Sequence, residues 1–289
     1  MNRNIKGHIF KNGGFYMVTL NKPVQITEKN KPQKSSTPSL SIFVKAFKKS
    51  IVLILFVLLW ELAPRFGLVD KIFLPPFSEV IIAWWDLLVS GELLRHFEAS
   101  ILRSVFGFGL AIVVAVPLGL VIGWYPLARE LLTPFLELLR NTAALALLPV
   151  FILLLGIGEV SKISIVLFAC TWPVLLNTIS AVKNVDPLLI KSARSMNISS
   201  FKLFSKVILP ASVPTIFTGV RMAGTGAILV LIAAEMIGAK AGLGYFITYS
   251  QYNFLIAEMY AGIITIALLG LLINYGLSSA EKYFSRWKQ

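Results

Sequence analysis

The chain has 289 residues, of which 56% are hydrophobic and 14% charged, and its mean hydropathy is +0.78. Soluble domains carry about 25% charged residues, so this composition excludes an ordinary water-soluble domain. The chain has one cysteine and two histidines, which rules out an intrachain disulfide and leaves too few soft ligands for a metal centre. We therefore expect neither disulfides nor a metal site.

The N-terminal region is polar and strongly basic. Residues 1–50 contain ten Lys and Arg against the single acidic residue Glu28. The first forty residues have too little apolar content to form a core, and the first thirty lack the apolar segment of a secretory signal. The sequence therefore predicts a disordered basic cytosolic tail over 1–45 and a transmembrane domain over 46–289.

Long apolar segments follow the tail. A bilayer core of about 30 Å needs about 20 helical residues with few charges. Four runs of 18 or more residues contain no Asp, Glu, Lys or Arg, namely 104–128, 141–158, 163–182 and 259–280. Two further runs, 50–66 and 212–238, are interrupted only by Glu61 in the first and by Arg221 and Glu235 in the second. We predict an all-α membrane protein with six transmembrane helices.

The distribution of basic residues predicts the orientation of these helices. If the N-terminus is cytosolic, six spans return the C-terminus to the cytosol. The predicted inside segments then hold nineteen Lys and Arg, and the predicted outside segments hold four, as the positive-inside rule requires. The basic surplus is thus explained by membrane topology, and we predict contact with lipid and no nucleic-acid partner.

The predicted inside segment 183–211 has the pattern of two short helices between the fourth and fifth spans. Asp186 is a suitable N-cap, and Pro187 follows at the first helical position, where its missing N–H costs nothing. Asn197 tolerates the left-handed conformation that ends a helix. The first short helix is therefore predicted to run from Pro187 to just before Asn197.

The second short helix is predicted to begin after Ser199 or Ser200, either of which can cap it. Phe201 and Phe204 lie three positions apart, so they form an apolar stripe on one face. Pro210 is expected to break the chain before the fifth span. The stripe has two possible uses, since it can pack against its own membrane domain as a connector or enter the groove of a partner.

One spacing within this loop resembles a known protein family. Residues 191–193, Lys-Ser-Ala, are followed after three residues by Asn197 and after nine more by 207–210, Val-Ile-Leu-Pro. This arrangement resembles the EAA loop of permease subunits in binding-protein-dependent ABC importers, whose pattern is Glu-Ala-Ala, x3, Gly, x9, Ile, x, Leu-Pro. Three further stretches are similar to the nitrate, sulfonate, taurine and bicarbonate branch of that family: 144–163, 213–224 and 233–247.

The resemblance implies the type I ABC importer permease fold in a bacterial inner membrane, with the loop 183–211 as a coupling loop. It also implies that two permease copies work with cytosolic ATPase subunits, which hold ATP and Mg²⁺, and with an extracytoplasmic binding protein that delivers a small oxyanion. The coupling residues it implies are Lys191, Ala193, Asn197, Ser199, Ser200, Phe201, Phe204, Leu209 and Pro210. Phe201 and Phe204 are the implied anchors in the ATPase.

Two residues depart from the family pattern. Lys191 occupies the position of the family's Glu, so a salt bridge from that position to an arginine of the ATPase does not carry over. Asn197 occupies the position of the family's Gly and is the common substitute that retains the left-handed option.

The chain carries no G-x-x-x-x-G-K-[ST] segment that could cradle ATP phosphates. It also shows no pairing of nucleophile and base, so we predict a transport subunit with no catalytic residues and no bound cofactor. Import of another small solute, such as a pyrimidine or a vitamin precursor, is an alternative. A secondary transporter is a further alternative, although the inverted repeats common in that class are not apparent.

Charged groups within membrane spans are costly and are functional candidates by default. The predicted pathway residues are the polar patch at the third span and the acidic residue of the fifth: Arg140, Asn141, Thr142 and Glu235. They can line a central pathway, or Arg140 and Glu235 can pair with each other or with lipid headgroups as structural ions. Arg103 and Arg221 lie near predicted span ends, where their side chains are expected to snorkel to the membrane surface.

Overall fold

The computed structural model describes the backbone of residues 38–284 and the side chains of residues 51–284. The chain divides into two structural units, Met1–Ile54 and Leu55–Gln289, and every contact discussed below lies in the second. The predicted tail over 1–45 lies mostly outside the described residues, and its residues 38–45 belong to the first helix.

The described residues form helices joined by short turns and loops, without a strand. They include a 3₁₀ turn, Ala144–Leu147, and a π-helical turn, Phe204–Ile208. The helices are α1 (Pro38–Arg65), α2 (Phe77–Val89), α3 (Glu92–Trp124), α4 (Pro126–Arg140), α5 (Leu148–Leu155), α6 (Glu159–Lys183), α7 (Pro187–Ser195), α8 (Ser200–Leu203), α9 (Leu209–Glu235), α10 (Leu243–Tyr252) and α11 (Ile256–Phe284).

Within the described range, four helical segments are long and apolar enough to cross a membrane: α3, α6, the continuous segment Ser200–Glu235 and α11. A fifth is obtained if α4 and the segment Ala144–Leu155, which meet at 80°, form one bent span. The predicted continuous helix over 141–158 is therefore wrong. The run is apolar, but the helix stops at Arg140 and only Leu148–Leu155 is α-helical again.

Helices α3 and α6 pack with their backbones unusually close. Small residues recur every fourth position along one face of α3, so a single stripe of the helix faces α6. A Cβ added at Gly119 would lie 2.6 Å from Thr178 Cβ, and one added at Gly107 would lie 2.7 Å from Val166 Cβ. The stripe consists of Gly107, Ala111, Ala115, Gly119 and Gly123, all buried.

Substitution within this stripe should destabilise the protein. We expect Gly119→Ala to cost about 1–3 kcal/mol through overpacking, because the added methyl meets Thr178 on α6. Gly109 on the same helix is the matched control, since a Cβ there meets nothing within 4 Å. Thermal unfolding of the two purified variants in detergent checks this, and equal midpoints would contradict the close packing of α3 on α6.

Helices α3 and α6 run in the same direction and α9 runs opposite to both, so the bundle has two distinct ends. The N-terminal parts of α3 and α6 and the C-terminus of α9 meet at one end, which we call the polar end. It is defined by Arg103, which forms ion pairs with both Glu159 and Glu235. The opposite end, where Trp124 of α3 meets Phe204, is the loop end. The predicted functional residues are distributed between these ends and the bend after α4.

Candidate coupling loop and polar cluster

The first half of the loop 183–211 has the local structure that its sequence predicts. Asp186 accepts a hydrogen bond on Oδ1 from the Leu188 N–H at 2.8 Å, and Pro187 is the first residue of α7. Asn197 has φ = +53°, the left-handed conformation expected of a residue that ends a helix. These three predictions are confirmed.

The second half of the loop differs from the prediction at Pro210. Ser199 is the cap, and its Oγ accepts from the Lys202 N–H at 3.5 Å. Pro210 does not break the chain, because one helical segment runs from Ser200 to Glu235. The Leu209 N–H bonds to the Phe204 carbonyl, five residues back, and this wider turn accommodates a proline that would distort regular α-helix.

The two predicted phenylalanine anchors have different environments. Phe204 is partly buried and packs edge-on against Trp124 of α3, with ring centroids 5.2 Å apart. Phe201 is 78% exposed, and it borders a cavity of about 330 Å³ together with Val121 and Tyr125. Phe204 therefore holds the loop against the bundle, and the side chain of Phe201 is exposed.

The remaining loop residues show the same division between an inner and an outer side. Ala193 is buried in a small cluster with Val182, Leu203 and Ile208. Lys191 and Ser200 are exposed, and Leu209 and Pro210 are half-buried. The inner side of the loop thus packs against its own domain, one of the two uses of the apolar stripe that the sequence left open, and the outer side is exposed.

At the polar end, the Glu235 carboxylate is fully buried and surrounded by donors. It accepts from Ser100 Oγ at 2.8 and 2.9 Å, from Arg103 Nη1 at 2.7 Å and from the Gly244 N–H at 3.0 Å. A buried charge with several charge-assisted hydrogen bonds is held in a fixed position. Glu235 therefore connects the end of α9 to α3 and to the start of α10.

Arg103 divides its guanidinium between two carboxylates. Beside its bond to Glu235, it makes a two-point contact with Glu159 at the start of α6, with Nη2 2.7 Å from Oε1 and Nε bonded to Oε2. Its side chain is only 6% exposed, so the expectation that Arg103 snorkels to the membrane surface is wrong. Two carboxylates hold the guanidinium inside the bundle, and because both lie far from Arg103 along the chain, the local sequence does not indicate this pairing.

Two further polar residues complete what we call the polar cluster. His96 Nδ1 accepts from the Gly242 N–H at 3.1 Å, and Gly242 itself has φ = +120°. Lys162 is almost fully buried, and its Nζ donates to the carbonyls of Gly158 and Gly238 at 3.1 and 3.4 Å. The cluster comprises His96, Ser100, Arg103, Glu159, Lys162 and Glu235, and it holds the turns before α6 and after α9 together.

The predicted pathway patch lies at the sharp bend between α4 and the following turn. Arg140 ends α4 with its side chain 49% exposed, and its Nη2 lies 2.7 Å from Glu137 Oε2. Asn141 and Thr142 follow in the break, where Thr142 Oγ1 donates to the Leu138 carbonyl at 3.2 Å. Each of the two predicted ions has another partner in the structure, since Glu235 pairs with Arg103 and Arg140 with Glu137.

Comparison with known proteins identifies the class. Residues 115–289 match the family described as binding-protein-dependent transport system inner membrane component. The chain is 36% identical over 231 residues to the putative aliphatic sulfonates transport permease protein SsuC of Escherichia coli K12, covering 80% of this chain and 88% of that protein. It is 33% identical over 234 residues to the taurine transport system permease protein TauC of the same organism, covering 79% and 85%.

The fold also has solved relatives. A crystal form of the inward-facing MetNI methionine ABC transporter aligns with a TM-score of 0.59 at 17% identity, covering 66% of this chain and 95% of the other. The chain therefore belongs to the family of binding-protein-dependent inner membrane components, the permease subunits of ABC importers. The family resemblance is confirmed. The chain is a multi-pass transport subunit of a family that works with ATPase and substrate-binding partners, which excludes the secondary transporter alternative.

Sequence reasoning missed most of the polar cluster. The charge of Arg103 beside an apolar run makes it a candidate, but the sequence does not indicate that it is buried between two carboxylates. Ser100 and His96 gave no signal of their own, because a serine and a histidine in the first turns of a long helix are unremarkable until a buried carboxylate and a backbone N–H are found beside them. Besides the charges of Arg103 and Glu235, the sequence offers one further signal, the glycine-rich segment 238–244 directly after Glu235.

Proposed function

We propose that this chain is one of two identical permease subunits that form the translocation pathway for a small oxyanion such as an aliphatic sulfonate, taurine, nitrate or bicarbonate. The six spans would be α1, α3, the bent pair α4–α5, α6, α9 with α8, and α11. Both termini and the loop 183–211 would lie on the cytosolic side. A binding protein would deliver the solute from outside, and separate ATPase subunits would hydrolyse ATP.

The observation that carries the coupling part of this proposal is the exposed Phe201 on a loop that is fixed to its own bundle. Phe204 and Ala193 hold the inner side of the loop, and the helical segment is continuous from Ser200 to Glu235. An exposed aromatic anchor is the residue type that dominates interface energy. Movement of a bound ATPase would therefore pass directly into the longest helix of the bundle.

The break after Arg140 supports the pathway part. Non-helical backbone at membrane depth is tolerated where it is buried in protein or lines a water-filled cavity, and interrupted helices often form the substrate sites of transporters. Arg140 is half exposed at this break, and its planar guanidinium suits a sulfonate, nitrate or bicarbonate group. The named relatives concern sulfonates and taurine, which agrees with this ligand chemistry.

Reconstitution tests the function. The permease, its ATPase and its binding protein are placed in liposomes, and ATP hydrolysis is measured with taurine, an alkanesulfonate, nitrate or bicarbonate as ligand of the binding protein. We expect one of these to stimulate hydrolysis. Stimulation by a pyrimidine or a vitamin precursor, with none by the four oxyanions, would overturn the proposed substrate class.

In the same liposomes we expect Arg140→Ala to reduce uptake by about 10- to 100-fold, because a lost charge-assisted hydrogen bond is worth about 1.5–3 kcal/mol. The complex should still assemble, since the side chain is half exposed and its ion-pair partner Glu137 lies on the same helix. Arg129→Ala, at the other end of α4, is the matched control and should leave uptake unchanged. Normal uptake by Arg140→Ala would remove this residue from the pathway.

A further inference from the structure

A groove of about 650 Å³ runs along the surface between α9 and α11. Its lining is mostly aliphatic, with Leu229 on α9 and Ile266 and Leu271 on α11 forming much of the wall. Arg221 and Asn274 supply polar groups at one end. A groove with this composition fits a ligand that has a long apolar part and a polar head.

The polar and apolar parts of the groove lie at different depths. At 1.5 Å per residue, Arg221 lies roughly 21 Å along α9 from Glu235 at the polar end, and Leu229 lies only about 9 Å from it. On α11, Asn274 is about 27 Å from the first residue, whereas Ile266 is about 15 Å from it. Arg221 itself is near the middle of α9, roughly 18 Å from Leu209, but its guanidinium reaches Glu281, which lies three residues before the end of α11. The head of the groove is therefore on the side of the loop end, and its apolar walls extend away from that end.

Arg221 is positioned to bind an anion at the head of this groove. Its Nη1 donates to Glu281 Oε2 at 2.8 Å, and Thr218 Oγ1 donates to the other oxygen of Glu281 at 2.9 Å. A guanidinium has five N–H donors, and this one is still 44% exposed. Glu281 thus orients the side chain and leaves donors directed at the groove and the surrounding membrane.

We propose that this groove binds one anionic phospholipid of the leaflet at the loop end, with its phosphate on Arg221 and an acyl chain along Leu229 and Ile266. The assignment of that leaflet as cytosolic rests on the orientation in the proposed function. Arginine pairs two-point with phosphate oxygens, and basic pockets between helices on the cytosolic side are a recurrent form of lipid site. A small oxyanion alone would leave the aliphatic walls uncovered.

Native mass spectrometry of the full-length chain, titrated with phosphatidylglycerol or phosphatidylcholine in detergent, tests this proposal. We expect phosphatidylglycerol to bind more tightly, and Arg221→Gln to weaken it roughly fivefold, the effect of about one basic residue near an anionic surface. Because that change leaves Glu281 without its partner, the double variant Arg221→Gln with Glu281→Gln is measured as well. It should show the same weakening.

A second pair of variants tests the groove itself. Gly270 lines the groove, and a Cβ at that position meets nothing within 4 Å, so Gly270→Leu should fold and occupy the apolar wall. Gly276 on the same helix is equally open but outside the groove, so Gly276→Leu is the matched control. We expect the first to weaken phosphatidylglycerol binding and the second to leave it unchanged.

Several results would overturn the inference. Equal binding of the two lipids or no effect of Gly270→Leu would do so. Displacement of bound phosphatidylglycerol by millimolar taurine or inorganic phosphate, or by a second copy of the chain in a dimer, would also do so. The measurement uses neither ATP nor transport. A negative result therefore leaves the proposed function intact, and a failed transport assay leaves the lipid site intact.

Discussion

The variant Phe201→Asp is expected to lose stable association with the ATPase subunits while remaining folded in the membrane. Phe201 is 78% exposed, so a carboxylate there costs the isolated permease little. In the proposed complex the ring is buried in the partner, where loss of an aromatic anchor costs about 2 kcal/mol or more, roughly a 30-fold fall in affinity. Co-purification of the ATPase with the tagged permease, and its stimulated ATP hydrolysis, measure this loss.

Three variants make the test specific. Phe201→Leu retains an apolar side chain and should retain much of the binding. Tyr283→Asp places the same charge at another exposed aromatic, 67% exposed at the end of α11, and should leave association unchanged. Phe204→Asp should instead lower the yield of folded protein, because that ring packs on Trp124. A stable, active complex of Phe201→Asp would exclude this residue as the anchor.

The second large effect is expected at Arg103. Replacement by Met leaves the Glu235 carboxylate, which is fully buried, without its ionic partner. Breaking a buried ion pair from one side typically costs about 3–5 kcal/mol. We therefore expect Arg103→Met to lower the thermal unfolding midpoint of the detergent-purified protein markedly. The matched control is Arg221→Met, because Arg221 is 44% exposed and its pair with Glu281 should contribute about 0–1 kcal/mol.

A rescue variant identifies the cause of the loss. Adding Glu235→Gln to Arg103→Met removes the uncompensated charge and keeps an acceptor for Ser100 and the Gly244 N–H. We expect this double variant to be more stable than Arg103→Met alone. If the two variants unfold together, or if Arg103→Met is as stable as Arg221→Met, the polar cluster does not hold the end of the bundle together.

The features that sequence predicted well are local. Charge-free runs located α3, α6 and α11, and a run with two charges located α9, because the hydrocarbon core imposes length and apolarity on each span separately. Asp186 and Asn197 were placed correctly because a cap depends on the residue and its immediate neighbours. Helix α3 begins twelve residues before the apolar run that predicted it. Four charged residues precede that run but are already helical: Glu92, Arg95, Glu98 and Arg103.

The features that sequence did not predict depend on distant residues. Arg103 meets Glu159 and Glu235 across 56 and 132 positions, and nothing along the chain links these three. The 80° bend after Arg140 leaves no trace in hydropathy, which is insensitive to direction. Pro210 was expected to break the chain because a proline clashes with regular α-helix, but the five-residue turn before it removes the clash.

The proposed coupling requires the loop 183–211 to lie in the cytosol, where an ATPase can reach it. Met196, between α7 and α8, is 74% exposed, and the only native cysteine, Cys170, is buried. In a Cys170→Ser background, Met196→Cys can therefore be probed with a membrane-impermeant maleimide on sealed vesicles of known orientation. We expect labelling only in inside-out vesicles, and labelling in right-side-out vesicles or intact cells would contradict a cytosolic coupling loop.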